Sequence, residues 1–135
     1  MEITKSEQSF LHLKNLYFSD FSFQNTGNHR DPRDAEQKPA MKFSAAVSAD
    51  TNNAFTVRLK ISIKEDSAYT LSCSLVGVFE VDDGLTEGNA YLQNNAVAIM
   101  FPYLRSQITL LTSQPGMRPI IIPALNINKL LQQEN

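Results

Sequence analysis

The tripeptide His29-Arg30-Asp31 has the form of a kinase catalytic loop, in which the aspartate takes the proton of a substrate hydroxyl. That chemistry also needs a glycine-rich loop over the phosphates and a DFG aspartate on magnesium, and this 135-residue chain has neither. Its five glycines are too dispersed for a phosphate loop of the GxxxxGKS/T kind. His29, Asp31 and Asp34 also combine donors that can touch a metal. Two histidines in all and no dense ligand cluster favour a solvated polar loop over a metal site. His12 falls inside a strand pattern with no nucleophile near it in sequence, so it reads as a packed or half-exposed histidine rather than a general base. Cys73, the single cysteine, shares its parity with Leu71 and Leu75 and reads as a small buried hydrophobe. No catalytic residue, metal ligand or cofactor motif is assigned, and the chain is not expected to be an enzyme.

Composition narrows the class. Hydrophobic residues are 42% and charged residues 19%, which suits one globular domain over 1–135 with 1–8 and 134–135 as frayed ends. A net charge of −2 gives no basic footprint, so nucleic acid is not an expected partner. One cysteine excludes an internal disulfide framework. The opening MEITKSEQS has neither the positive region nor the apolar region of a secretory signal. No apolar run approaches the ~20 residues that span a bilayer, so no membrane insertion is expected and the compartment reads as cytoplasmic.

The elements follow from periodicity. Ala96 to Thr112 has the longest helical pattern: Val97, Phe101, Leu104, Ile108 and Leu111 recur at intervals of three and four. Met100, Tyr103 and Leu110 widen the stripe, which predicts burial on two sides, against the chain's own sheet and against another subunit. Those five residues are the expected oligomer interface. Pro102 predicts a kink or a restart. Before the helix, Phe10 to Phe23 carries apolar residues on both parities. That pattern means a strand buried on both faces, or one with a bulge near Ser19-Asp20. Gln24 to Pro39 is a long polar loop. Met41, Phe43, Ala45 and Val47 then alternate with Lys42, Ser44 and Ser48. Phe55, Val57, Leu59, Ile61 and Ile63 alternate strictly with Thr56, Arg58, Lys60, Ser62 and Lys64. Tyr69 to Val81 completes an antiparallel sheet with one dry and one wet face. Thr86 to Gln93 reads as a short helix, and Gln114-Pro115-Gly116 ends the long one. Pro119 and Pro123 bracket an extended apolar connector, and a last helix capped by Asn126 or Asn128 runs through Gln133. Strands first and helices last make an α+β fold.

In order and spacing, several of these segments resemble the SecB family of bacterial protein-export chaperones, from about Phe10 to Leu131. IMFPYLRSQIT follows the family's FPY-containing helix, while Leu16-Tyr17 and Asp20-Phe21-Ser22-Phe23 follow its first strand. Gly77-Val78-Phe79 follows the last strand, and PALN from Pro123 follows the approach to the last helix. The resemblance implies a four-stranded antiparallel sheet with a long kinked helix and a short C-terminal helix on one face. It also implies a tetramer built as a dimer of dimers with the long helices sandwiched between. The implied activity is ATP-independent holding of unfolded polypeptides for export. The implied client groove lies between Met41, Phe43 and Val47 on one side and Leu125, Ile127, Leu130 and Leu131 on the other. Promiscuous binding suits methionine, which is flexible and polarizable. Export members dock the motor SecA through acidic residues on the sheet face and an acidic tail. Asp20 matches one such position. Gln24, Thr70 and Ser72 do not, and the sequence ends LLQQEN, so SecA is a doubtful partner. Other members are dedicated chaperones of an antitoxin in toxin–antitoxin systems, a role that fits equally well. An oligomeric interaction module that kept the fold and lost the activity is the competing class.

Overall fold

The structure, a computed structural model, describes residues 11–28, 39–51, 53–66, 68–82 and 90–122. Strands β1 (Leu11–Asn25), β2 (Ala40–Ala49), β3 (Ala54–Glu65) and β4 (Tyr69–Val81) precede one helix, α1 (Ala90–Leu111). The strands form one antiparallel sheet in the order β1-β4-β3-β2, so β3 and β4 are central and the first two strands are the edges. α1 packs on β3, β4 and β1. The α+β class, the sheet and the long helix are as the residue pattern predicts. The expected C-terminal helix, with Leu125, Ile127, Leu130 and Leu131, lies outside the described residues, as does the 29–38 part of the loop carrying His29, Asp31 and Asp34.

Alternation sets the two faces. Phe55, Val57, Leu59, Ile61 and Ile63 of β3 pair directly with Phe79, Gly77, Leu75, Cys73 and Leu71 of β4, and every side chain in both rows is buried toward α1. β1 reaches the same face by a different route. Its register slips between Leu13 and Asn15 and again between Phe18 and Asp20, leaving Lys14 and Ser19 as extra residues. Each slip flips the side-chain parity. Leu11, Leu13, Leu16, Phe18, Phe21 and Phe23 thereby all stand opposite core-facing partners on β4, and Tyr17 is left facing the other way. The apolar residues on both parities are thus explained by two bulges rather than by burial on both faces.

α1 begins at Ala90, so Tyr91 to Gln93 belong to it instead of to a separate short helix. It runs through Pro102 without a restart. Pro102 and Ala98, whose carbonyl loses its intrahelical partner, are both on the solvent side, where water can satisfy that oxygen. Leu92, Ala96, Val97, Met100, Phe101, Leu104 and Ile108 form its buried stripe. The helix lies close because Gly77 offers no Cβ: one built there would stand 2.7 Å from Met100 Sδ and 2.9 Å from Phe79 Cε2.

The end of α1 is tied down by hydroxyls. Thr112, fully buried, donates to the Ile108 carbonyl at 2.8 Å and accepts from the Ile120 amide at 2.8 Å. Thr109 donates to the Ile120 carbonyl at 2.7 Å. Between them the chain turns at Gln114 to Met117, where Met117 donates to the Gln114 carbonyl at 3.0 Å and Gly116 takes a φ of 80°. The connector is thereby pinned with Ile122 in the core and Ile121 outside.

Gly77→Ala is expected to destabilise the fold by about 1–3 kcal/mol, because Met100 and Phe79 are themselves fully buried and have nowhere to move. Urea unfolding measures this, and adding Met100→Ala should cancel part of the loss. Independent, additive effects would show that the two residues do not oppose each other across the interface.

Candidate functional site

The core of this sheet is finished at its centre and unfinished at both edges. No side chain of β2 is fully buried, and on β1 only Leu11 is. On the β2 side Met41 is 51% exposed and Val47 38%, both on the α1 face. Phe43 between them is half-buried, its ring edge-on to Phe101 of α1 at 6.0 Å. On the β1 side Leu13 is 38% and Phe21 49% exposed, and the Phe21 ring leans on Phe18 at 5.0 Å. Two apolar shelves therefore flank α1. Each is a strand edge whose inward side chains the helix does not cover. The β2 shelf contains the Met41, Phe43 and Val47 named from sequence. The β1 shelf was not anticipated as a site. Its only signal was the dense aromatic content of Phe10 to Phe23, which parity alone could not assign to one face.

The residues expected at an oligomer interface lie elsewhere. Val97, Phe101, Leu104 and Ile108 are 0–5% exposed in the single chain and pack on its own sheet, with Leu111 half-buried beside them. The first four have almost no surface left for a second subunit. The apolar residues that α1 does turn outward are Ile99, Tyr103 and Leu110, at 38%, 52% and 65% exposure. They fall at intervals of four and seven, one exposed stripe along the flank of the helix. Ile121, in the connector, is 75% exposed. Asp20 lies on the far face of the sheet, away from both shelves, opposite Ser74. Ser22 faces Ser72 there, and Gln24 faces Thr70.

Among the described residues, polar chemistry does not converge on either shelf. His12 Nε2 contacts Asp82 at 3.3 Å and Lys14 contacts Glu80 at 3.6 Å, both pairs about half exposed at the β1 edge. Among the described residues no three side chains of the His, Cys, Asp and Glu types cluster as metal ligands. Cys73 is fully buried, and burial, with a smaller contribution from the Asp20 charge, pushes its thiol up to about 11. Tyr69 is pushed up to about 12, first by burial and then by Glu65, and its ring stacks on Phe23 at 6.0 Å. Raised values keep both groups neutral, which is the opposite of nucleophile activation. What this surface can do is exchange apolar contacts with another polypeptide.

A family model described as preprotein translocase subunit SecB matches residues 4–135. The protein-export protein SecB of Hyphomonas neptunium is 26% identical over 130 residues, covering 92% of this chain and 78% of that one. An uncharacterized protein of Methanocaldococcus jannaschii is 31% identical over 81 residues, 56% of this chain and only 52% of its own length. Among solved structures, the SecB-like chaperone of Mycobacterium tuberculosis, in complex with a ChAD peptide from the HigA1 antitoxin, superposes with a TM-score of 0.64. That match covers 86% of this chain and 88% of that one at 22% identity, a likeness of fold.

Because the unfolded chain releases these protons near their ordinary values of 9.0 and 10.0 and the fold holds them longer, the stability these two groups contribute is fully present below pH 9. It falls as pH rises from 9 to about 11 through Cys73, and from 10 to about 12 through Tyr69. Thermal unfolding against pH should show this decline, and Cys73→Ala should remove its first part. A thiol reagent at pH 8 should react with the folded protein no faster than it opens.

Proposed function

This chain belongs to the SecB family, and from that premise we propose that it is a nucleotide-independent holding chaperone for unfolded or unassembled polypeptides. The observation that carries the reading is the pair of exposed apolar shelves flanking α1. Each client side chain laid on Met41, Phe43 and Val47, or on Leu13 and Phe21, gains roughly 1.5–3 kcal/mol before ordering costs. One such contact is weak. Two shelves per subunit, repeated around an oligomer, raise the effective concentration for the next contact, so an extended client stays bound and unaggregated. Leu125, Ile127, Leu130 and Leu131 would close the β2 shelf as a groove from a C-terminal helix. The whole of 1–135 would act as one domain of a cytoplasmic dimer of dimers. The outward stripe of Ile99, Tyr103 and Leu110 on α1 is the surface best suited to contact between subunits. A holding cycle of this kind calls for no cofactor and no catalytic residue.

Two client assignments follow from the family. One is export, with release to SecA. Of the sheet-face positions where acidic residues would serve that motor, Asp20 is the one carboxylate here, beside neutral Gln24, Thr70 and Ser72. The other is care of a single antitoxin, the kind of partner seen in the Mycobacterium tuberculosis complex. The neutral docking positions favour the second.

A chemically unfolded, aggregation-prone protein diluted into this one, without nucleotide, is expected to scatter less light and to run as a complex of defined mass. Met41→Asp or Phe21→Asp should weaken that suppression several-fold while moving the urea midpoint little, since exposed substitutions usually cost within about 0.5 kcal/mol. Parallel loss of holding and of stability would assign those side chains to the core. Undiminished scattering beside an intact oligomer would leave a scaffold or a chaperone with one dedicated client.

A further inference from the structure

The sheet face turned away from α1 carries a row of cations. Arg58, Lys60 and Lys64 stand at alternate positions of β3. The one gap in the series is Ser62, and Lys42 of β2 is its direct cross-strand partner. One positive charge therefore falls at each two-residue step from Arg58 to Lys64. All four side chains are exposed, and among the described residues none of them forms an ion pair. At the Lys64 end the face sinks into a depression of about 390 Å³, lined by Lys42, Lys64, Ser22, Ser62, Thr70 and Ser72 together with Ala40, Ile63 and Leu71. In a chain of net charge −2, this is a concentration of the minority sign on one surface. Among the described carboxylates, Glu65 has the opposite parity on β3 and Asp66 follows Lys64 in the turn, while the others stand off the row. Asp20 is two strands from Lys60, across Ser74, Glu80 is engaged by Lys14, and Asp50 accepts a 2.6 Å bond from Thr56 beyond the Arg58 end.

Successive same-face positions on a strand repeat at roughly 6.8 Å, and so do same-face side chains of any extended polypeptide. Carboxylates at alternate positions of an extended segment would thus meet the four cations one to one, while the serine and threonine hydroxyls supply donors in the depression. We propose that this face docks an extended acidic segment of a partner protein, with carboxylates at every second residue, laid along β3. A single-stranded nucleic acid would match the charges but needs stacking platforms beside them. The exposed aromatic of this face, Tyr17, is on β1, two strands from Arg58. A lipid surface needs apolar anchors, and Val76, the large apolar residue beside Arg58, is 1% exposed. The docking face lies on the opposite side of the sheet from the shelves, so the two activities are separable.

Fluorescence anisotropy with a labelled alternating glutamate–serine octapeptide tests this, against a block peptide of the same composition. The alternating peptide is expected to bind at least about five-fold tighter than the block peptide, and to weaken several-fold as ionic strength rises from about 0.01 M to 0.15 M. Lys60→Ser with Lys64→Ser should lower its affinity about ten-fold or more, and Lys42→Ser with Arg58→Ser should do the same, with circular dichroism and aggregation suppression unchanged. Equal affinity for the two peptides, absence of binding, or tighter binding of oligothymidine or of anionic vesicles would overturn the proposal. Loss of the holding activity would appear in light scattering and leave the anisotropy untouched.

Discussion

A helix with its side chains is about 10 Å across, whereas the outer strands of a four-stranded sheet run about 14 Å apart and carry side chains further still. α1 therefore seals β3 and β4 and leaves the inward faces of both edge strands partly in water. How tightly it seals depends on Gly77, where the missing Cβ lets Met100 Sδ rest against the sheet. With the helix seated there, Leu104 and Ile108 are fully buried, and Thr109 and Thr112 hold the connector against the helix end. The shelves are the remainder of that geometry. They exist because one helix has been given a sheet too wide for it.

The two faces of the sheet divide the chemistry. The α1 side is apolar to its rims, and its exposed residues are large, flexible or aromatic: Met41, Phe21 and Leu13. The far side is rich in serine, threonine, lysine and arginine, with Tyr17, Val76 and Val78 as its bulkier residues. A surface of the first kind accepts many polypeptides without reading their sequence. One of the second kind discriminates by charge and spacing. Carrying both on one sheet keeps apolar and charged contacts on opposite surfaces.

The bulges at Lys14 and Ser19 join these two themes. Without them, Leu16 and Phe18 would face the hydroxyl side while Leu13 and Phe21 faced α1. Two extra residues bring the leucines and phenylalanines of β1 to one face and leave Tyr17 on the other. They also break the ladder on an edge strand, a device that discourages uncontrolled edge-to-edge pairing.

Much of this was legible from the chain. Strict alternation from Phe55 to Ile63 specified β3 and its dry face, since a period of two admits no other half-buried structure. Val97 to Ile108 specified the buried stripe of α1, and Gln114-Pro115-Gly116 its end. The inert setting of Cys73 followed from its parity with Leu71 and Leu75. Other features depended on position relative to partners that periodicity cannot see. Val97, Phe101, Leu104 and Ile108 read as an intersubunit seam, yet they cover the chain's own sheet, and Ile99, Tyr103 and Leu110 are the residues left outside. An apolar stripe states that a face is buried but not against what. Likewise, Lys42 fills a gap in the β3 cation row only because strand pairing sets it beside Ser62. Local pattern determined the elements and their faces, because those depend on residues within a few positions of one another. Strand order, register and the width of sheet that one helix can cover decided where the apolar shelves and the basic row lie, because each is set by residues far apart in sequence.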